Sequence, residues 1–429
     1  MTTSEFILQH RLSNPRDLAL QARRYPDVDM PYALNQIQGW QTARQKLPSW
    51  ASCDGVVYPP HLNMEQCSSE PTARYKQEVA LRWLNKVGVG HGGATTSMAD
   101  LTGGFGVDFS FSSRCFASAT YVERNSSLCD VVSGNLPRLG ISNANVVCAE
   151  AEDYLATMPQ QTMLFLDPAR RDEHGAKTVL MADCTPDVCR LLPQLMSKAR
   201  FVMLKLSPML DWHKAIADLK GTVDEVHIVS VGGECKELLL VLAGKVSVSS
   251  VDSGSLENGV RVYCVDIMPK ADADGEYKRS EFYYTIGGAA DNPPTLNPQP
   301  STLNSQLSTL NSQFLFEPNA SIMKAGCFAE LSQVYGVEAI GPNSHLFVSS
   351  GRVEQFPGRK FAIEAVCTLN KRQLKQTLGT LKQANIAVRN FPMSVAELRK
   401  RLKLRDGGDT YIFATTTMEG EHVLIICRK

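Results

Sequence analysis

The sequence predicts an α/β protein built on a mostly parallel sheet of seven strands that ends in an antiparallel hairpin. Between about residues 95 and 243, short apolar segments alternate with segments of helical periodicity. That order is typical of a parallel sheet covered by helices on both faces. Only residues 232–235 separate the last two strands, and so short a connection permits only an antiparallel pair. A helical region is expected before the sheet and an α+β module after it.

Each element follows from its local pattern. The helix candidate from Thr72 to about Val87 places Val79, Trp83 and Leu84 on one face. Pro137 is expected to end the second helix of the sheet region, because proline breaks the helical hydrogen-bond pattern. Strands are predicted at 96–101, 119–123, 145–149, 162–167, 200–206, 224–231 and 236–243. Helices are predicted at about 106–114, 126–136, 151–158, 185–198 and 210–219.

Composition changes along the chain predict the domain boundaries. One segment repeats Thr-Leu-Asn with a period of seven but carries one reliable leucine per repeat, too few for a coiled coil. Its Thr, Asn, Ser and Pro content favours a disordered loop or linker. The predicted parts are a helical region (1–74), the α/β domain (75–245), a small segment with two strands (246–294), the low-complexity loop (295–314) and the α+β module (315–429).

Composition also excludes several classes of protein. The 44 basic and 44 acidic residues balance, so only local charge can favour a polyanion. The 12 cysteines form no CxxC pair, which argues against a zinc site or a disulfide scaffold. We expect no metal, reduced thiols and a cytoplasmic location. The first residues do not resemble a signal peptide, and no apolar run approaches the 18 residues of a membrane span.

A glycine-rich turn follows the first predicted strand and precedes a helix. Such glycines expose backbone amides to a ligand. A dinucleotide fingerprint would need a third glycine where Phe109 stands, and the acid at position 100 would repel a phosphate but suit an ammonium group. S-adenosylmethionine carries such a group and NAD does not; a plain strand–turn–helix is the alternative. The turn reads Asp100, Leu101, Thr102, Gly103, Gly104, Phe105 and Gly106.

Acidic residues also follow the second and third predicted strands. Glu123 could accept hydrogen bonds from both hydroxyls of a ribose, or it could be an ordinary exposed acid. Glu150 could accept from the exocyclic amine of adenine, although Glu152 and Asp153 compete for this role. The pattern indicates a nucleoside-bearing ligand at the strand ends.

The fourth predicted strand ends in Asp167 and Pro168. Asp167 could hold the atom that accepts a transferred group and orient its lone pair, or it could only cap the strand end. Arg170 or Arg171 could hold a substrate phosphate. Lys205, at the end of the next strand, either faces the pocket or extends along apolar surface towards solvent.

These residues together resemble the motifs of class I S-adenosylmethionine-dependent methyltransferases over about residues 75–243. The resemblance implies a Rossmann-like sheet, S-adenosylmethionine as cofactor and no metal. It implies a catalytic set of Asp167, Pro168 and Arg170. It implies a cofactor-binding set of Asp100, Thr102, Gly103, Gly104, Phe105, Gly106, Glu123 and Glu150.

The segment 167–170 is similar to the Asp/Asn-Pro-Pro-aromatic motif of enzymes that methylate exocyclic amines of nucleic-acid bases. Ala169 stands where that motif has a second proline, and Arg170 replaces the aromatic residue that stacks on a base. Uridine-C5 methyltransferases can carry an arginine there, but they need a nucleophilic cysteine after a later strand. Residues 204–208 contain none, which argues against C5 chemistry.

The C-terminal module, beginning near Glu317, resembles the THUMP-like domain attached to a bacterial branch of methyltransferases. In that branch a small ferredoxin-like segment lies between the two domains, which the resemblance places at 246–294. Segments 65–70 and 205–208 are also typical of it. True THUMP domains bind RNA.

Charge supports the same partner. Residues 351–405 contain 13 Lys and Arg against three acids, a net charge of +10, which would favour phosphate contacts unless these are only solvated helix faces. The expected function is therefore methylation of RNA, with a base amine favoured. The alternatives are methylation of a protein or small molecule, and a non-catalytic RNA-binding protein with a degenerate fold.

Overall fold

The computed structural model describes residues 1–90, 95–170, 181–243, 259–287 and 313–429, without the side chains of Arg170 and Ala182. The chain forms two compact units. The first contains Met1–His227 and Lys236–Arg261, and the second contains Ile228–Cys235 and Val262–Lys429. The predicted low-complexity loop at 295–314 lies almost wholly outside the described residues.

The first unit opens with the helical region that the sequence predicts. Thr2 and Glu5 form a reciprocal capping box at the first helix. The buried ring of Trp50 packs on Phe105 of the glycine-rich turn, with ring centroids 4.9 Å apart, so this region supports the turn. The helices are α1 (Thr3–His10), α2 (Pro15–Leu20), α3 (Met30–Lys46), α4 (Pro48–Ala51), α5 (His61–Gln66) and α6 (Glu70–Lys86), with a short 3-10 helix at Ala22–Arg24.

The sheet strands lie within two residues of their predicted bounds. The strands of this part of the chain are β1 (Ser97–Asp100), β2 (Ser118–Glu123), β3 (Ala144–Cys148), β4 (Gln161–Leu166), β5 (Ala169–Arg170), β6 (Cys184–Thr185), β7 (Ala199–Leu206), β8 (Val223–Val231) and β9 (Glu234–Leu242). The order is β8-β9-β7-β4-β1-β2-β3, with β1 parallel to β2 and β4 and with β7 antiparallel to β9. The short strands β5 and β6, which were not predicted, pair only with each other.

Helices follow the strands as predicted, with one correction. The second helix does not end at Pro137 but continues to Arg138. A proline in the last turn keeps helical backbone angles and forfeits only one hydrogen bond, and the chain leaves the helix before Gly140, whose φ is +72°. The helices are α7 (Val107–Ser112), α8 (Ser126–Arg138), α9 (Ala151–Thr157), α10 (Val188–Lys198) and α11 (Trp212–Asp218), with 3-10 turns at Ser113–Cys115 and Met181–Asp183.

Two strands that the sequence placed in a separate segment belong to the sheet. They are β10 (Val260–Ile267) and β11 (Arg279–Ile286), and the order is β11-β10-β8. Strands were expected at about 262–267 and 278–285, but in a segment separate from the sheet. The sheet therefore has nine strands, where the sequence predicted seven.

The C-terminal part of the second unit is a seven-stranded sheet with four helices. Its order is β13-β14-β12-β15-β18-β17-β16, and Phe361 and Phe413 lie in its core. The strands are β12 (Phe314–Pro318), β13 (Glu338–Ala339), β14 (Phe347–Ser349), β15 (Gly358–Thr368), β16 (Asn385–Arg389), β17 (Thr410–Thr416) and β18 (His422–Arg428). The helices are α12 (Ala320–Ala325), α13 (Phe328–Tyr335), α14 (Lys371–Leu378) and α15 (Val395–Leu402). Across the described ranges, no helix has the length and apolarity needed to span a membrane.

Candidate functional site

A cavity of about 700 Å³ opens at the carboxyl ends of the first-unit strands. Open parallel sheets bind ligands at this edge. The side chain of Arg170 lies outside the described part of the chain, so its role at the site stays a prediction. The predicted residues that line the cavity are Asp100, Thr102, Gly103, Gly104, Phe105, Gly106, Glu123, Glu150, Asp167 and Pro168.

The glycine-rich turn is shaped by Tyr121 of β2. A Cβ atom on Gly103 would lie 2.1 Å from the Tyr121 ring, so only glycine fits there. The Tyr121 hydroxyl donates to the carbonyl oxygen of Gly104 at 2.5 Å. Gly104 and Gly106 have φ of +54° and +78°, which favour glycine. Phe105 is buried against Trp50, so its ring anchors the turn.

The Gly103→Ala variant is expected to lower the free energy of unfolding by about 1–3 kcal/mol, because the Tyr121 ring must move. Chemical denaturation followed by tryptophan fluorescence measures this change. Gly134→Ala in α8 of the same unit is the matched control, since a Cβ there meets only the far end of the flexible Arg138 side chain. Equal stability of the two variants would contradict this account of the turn.

Two acids on neighbouring strand ends face the cavity differently. The Glu123 carboxylate accepts the backbone N–H groups of Gly104 at 3.0 Å and Asn125 at 2.9 Å. These bonds fix its orientation and leave further acceptor positions on both oxygens. Glu150 is exposed and its side chain does not cap α9. Of its two competitors, Glu152 lines the cavity and Asp153 does not.

Asp100, the acid of the glycine-rich turn, is almost completely buried, with 1% of its surface exposed. Its Oδ1 accepts the backbone N–H of Thr102 at 3.0 Å. Burial raises the pKa of Asp100 well above its usual value, because the charged form loses its hydration. A cationic group beside it would favour the ionised form.

A chain of alternating charges extends inward from the other side of the cavity. Asp167 Oδ2 lies 2.5 Å from Lys205 Nζ, which is also 3.8 Å from Asp108 Oδ2. Asp108 Oδ1 lies 3.2 Å from Lys76 Nζ. Lys76 then contacts both carboxylate oxygens of Glu237, at 2.6 and 2.7 Å. These contacts join side chains from five separate elements or connections of the first unit.

Neighbouring charges favour the ionised forms of Lys205 and Asp108, whereas burial raises the pKa of Glu237. Burial works against the charge of Lys205, but Asp167 and Asp108 more than offset it and raise the pKa of Lys205 above its usual value. Burial also opposes ionisation of Asp108, yet Lys76 and Lys205 lower its pKa. The Ser68 hydroxyl donates to Asp108 Oδ2 at 2.7 Å and supports the same state.

The structure decides two alternatives that the sequence left open. Lys205 lines the cavity with 12% of its side chain exposed, so it faces the pocket. Asp167 is not a strand-end cap in the described part of the chain, since no backbone N–H donates to its carboxylate there. Its own backbone N–H donates to Thr102 Oγ1 at 2.6 Å, which ties the ends of β4 and β1 together.

Sequence reasoning missed the roles of Lys76, Asp108 and Glu237. A signal for Lys76 was present, because it shares the buried face of α6 with Ala73 and Trp83. A lysine at a core-facing position needs a buried partner. No local signal pointed to Glu237, which lies in β9 far along the chain.

The basic residues of segment 351–405 differ in their partners. Arg359 and Arg389 pair with the buried Glu317, and Arg399 pairs with Asp406. Eight others are exposed and have no acidic partner among the described residues; we call them the basic surface. They are Lys371, Arg372, Lys375, Lys382, Lys400, Arg401, Lys403 and Arg405.

Backbone contacts bring the parts of the basic surface together. Arg401 donates to the carbonyl oxygen of Leu369, two residues before α14, at 3.5 Å. The Arg405 N–H donates to the carbonyl oxygen of Lys382 at 3.0 Å. The end of α15 thus lies near the start of α14, and Arg405 lies near Lys382. In the ranges that the structure covers, no group of three or more His, Cys, Asp or Glu residues is arranged to hold a metal ion.

Two family models match the C-terminal part of the chain. The THUMP domain-like model matches residues 358–429, and a ferredoxin-like domain model matches residues 314–357. The ferredoxin-like match lies after the segment 246–294, for which the sequence predicted that domain, and all of it but residue 314 falls in the predicted module at 315–429.

Among solved structures, the chain is similar to the "putative methyltransferase from Porphyromonas gingivalis W83", with 28% identity over 93% of this chain and 90% of that one and a TM-score of 0.74. An rRNA methylase from Streptococcus thermophilus is 11% identical over 41% of this chain and 98% of that one, with a TM-score of 0.29. The precorrin-6y C5,15-methyltransferase from Geobacter metallireducens is 20% identical over 39% and 88%, with a TM-score of 0.28. The last two are too distant to bear on function.

No curated protein matches the sequence. The likeness to the Porphyromonas gingivalis protein extends over both units of this chain. The cavity lies where the glycine-rich turn and the strand-end acids of this chain meet. The chain is thus similar over nearly its whole length to a protein described as a methyltransferase, and its residues 358–429 match the THUMP domain-like model.

Proposed function

We propose that this protein transfers the methyl group of S-adenosylmethionine to RNA, with an exocyclic base amine as the acceptor. One observation carries the proposal. A single cavity joins a buried acid beside a glycine-rich turn to a second acid, Asp167, which is held by a lysine at the next strand end. The first half suits a cationic nucleoside and the second half suits an amine.

The residues of the turn fit this cofactor. Gly104 leaves its backbone open, since a Cβ there would meet only the Thr102 carbonyl at 3.8 Å. Asp100 would receive the ammonium group of the cofactor. Glu123 would accept the ribose hydroxyls, and Glu150 would lie beside the adenine.

Asp167 would accept a hydrogen bond from an N–H of the acceptor amine and direct the nitrogen lone pair into the cavity. When bound, the cofactor would supply a methyl group on a sulfonium, whose carbon–sulfur bond would break as the nitrogen–carbon bond formed, with that electron pair left on sulfur. The amine nitrogen then releases a proton to Asp167 or to water. Orientation of this kind can lower a barrier by roughly 7–11 kcal/mol at the extreme.

RNA is favoured as the substrate by the basic surface. Its eight exposed cations have no acidic partners in the described part of the chain, although the whole protein has no net charge. Cations without acidic partners are free to neutralise phosphates and release counterions. Because the contacts are to phosphates, the affinity would depend little on base sequence.

The combined variant Lys371→Gln, Arg372→Gln and Lys375→Gln should weaken RNA binding and its dependence on salt. If each residue contacts one phosphate of a single strand, the slope of log K against log salt decreases in magnitude by about 2. Fluorescence anisotropy with a labelled single-stranded RNA measures it. The matched control removes three exposed charges elsewhere: Arg16→Gln, Arg23→Gln and Arg24→Gln. An equal loss of slope in both would contradict a localised surface.

Binding of S-adenosylmethionine should release a proton, because a cation beside Asp100 lowers a pKa that burial has raised. The affinity should therefore fall as the pH decreases. Calorimetry in buffers of different ionisation enthalpy measures the proton count. Asp100→Asn should abolish the release, and proton release that persists in this variant would exclude Asp100 as its source.

The proposed function is tested directly with labelled S-adenosylmethionine and two acceptors, total RNA and total protein from cells that lack this chain. Label is expected in RNA, in a methylated base amine. Label in protein alone would favour the protein substrate, and label in neither would contradict catalysis on macromolecules.

A further inference from the structure

We propose that Lys205 is the positioning residue of the acceptor side: it holds the Asp167 carboxylate so that one oxygen stays directed at the incoming amine. This inference rests on the proposed function, since it assigns a task to a residue of the same cavity. Lys205 itself would not touch the amine.

The two oxygens of Asp167 have different surroundings. Oδ2 lies 2.5 Å from Lys205 Nζ. Among the described residues, Oδ1 has no hydrogen-bond partner. The Asp167 side chain is 39% exposed, so its carboxylate could rotate freely if Lys205 did not hold it. With Oδ2 held, Oδ1 is the oxygen that remains for an acceptor N–H.

Lys205 is held in turn from inside the protein. Asp108 Oδ2 lies 3.8 Å from its ammonium group, and Asp108 is itself bonded to Ser68 and paired with Lys76. A free lysine side chain has many accessible rotamers, and a buried anchor removes that freedom before substrate binds. Lys205 thus transmits the rigidity of the buried charges to a half-exposed carboxylate.

A surface ion pair could also give a short Lys–Asp contact, but the burial of Lys205 argues against that interpretation. Its side chain is 12% exposed, whereas Lys214, which pairs with Asp218 on α11, is 50% exposed. Exposed pairs contribute little because water screens them. Both residues of the Lys205–Asp167 pair also line the cavity, which an ion pair serving only stability has no need to do.

The test compares Lys205→Met, Lys205→Arg and the control Lys214→Met. Lys205→Met should lower kcat for label transfer to total RNA by about 10²-fold, the cost expected for a misaligned reacting group. The KM for S-adenosylmethionine and its affinity measured by calorimetry should not change, since Lys205 lies on the acceptor side. Lys205→Arg should recover part of the loss, and Lys214→Met should behave as the wild type.

A crystal structure of Lys205→Met gives a readout that does not depend on activity. The Asp167 carboxylate should adopt another orientation or become disordered; an unchanged carboxylate would overturn the inference. Undiminished kcat in Lys205→Met, with loss of activity in Asp167→Ala, would also overturn it and leave the proposed function standing. A wild-type protein that neither binds S-adenosylmethionine nor labels RNA would overturn the proposed function instead.

Discussion

Replacement of Asp167 by alanine is expected to lower methyl transfer by at least about 10²-fold, the lower end of what a positioned acid or base contributes. Asp167 is the acid that faces the acceptor side of the cavity and pairs with Lys205. Without it, the amine has no acceptor for its N–H, and its lone pair is not directed. The cofactor side is built by other residues, so S-adenosylmethionine should bind as before.

Single-turnover transfer of label to RNA measures the rate, and calorimetry measures the affinity for S-adenosylmethionine. Asp130→Ala, on the exposed surface of α8, is the control and should leave both unchanged. A variant that loses both rate and cofactor affinity would assign Asp167 to the cofactor. Undiminished transfer would show that the acceptor lies elsewhere.

Replacement of Lys76 by methionine is expected to lower the free energy of unfolding of the first unit by about 3–5 kcal/mol, the usual cost of leaving a buried charge without its partner. Lys76 is completely buried, and it contacts both oxygens of Glu237, of which 2% is exposed. Asp108 loses the same cation. Neither carboxylate can be hydrated in place.

Urea unfolding followed by tryptophan fluorescence measures the effect, and the signal comes from the first unit because Trp40, Trp50, Trp83 and Trp212 all lie there. Lys214→Met, which breaks an exposed pair, should change the free energy by less than about 1 kcal/mol. The double variant Lys76→Met with Glu237→Met should be more stable than Lys76→Met alone. A double variant that is no more stable would mean that the lost pairing with Glu237 is not the cause.

Most of the first-unit sheet could be predicted because its strands are short, apolar and separated by helical segments. The seven strands were placed within two residues, and the acids at their ends lie around one cavity. Helices and strands that are long enough to show a repeating apolar pattern can be predicted from a short window of sequence. Strands β5 and β6 have two residues each, too few to show such a pattern.

The features that could not be predicted depend on contacts between residues far apart in the sequence. The pairing of Lys76 with Glu237 joins residues 161 positions apart, so no window of sequence contains both. Strand β10 lies beside β8 in the sheet, and the residue pattern of β10 alone cannot predict which strand it pairs with. The lysine on the buried face of α6 was the one local sign of the buried charges.

The most direct test of the central claim, that the acid-and-glycine cavity binds a sulfonium nucleoside, is calorimetry of the full-length protein with S-adenosylmethionine and with NAD. Saturable heat with S-adenosylmethionine, none with NAD, and weakened binding in Glu123→Ala are expected. Binding of NAD alone would contradict the account.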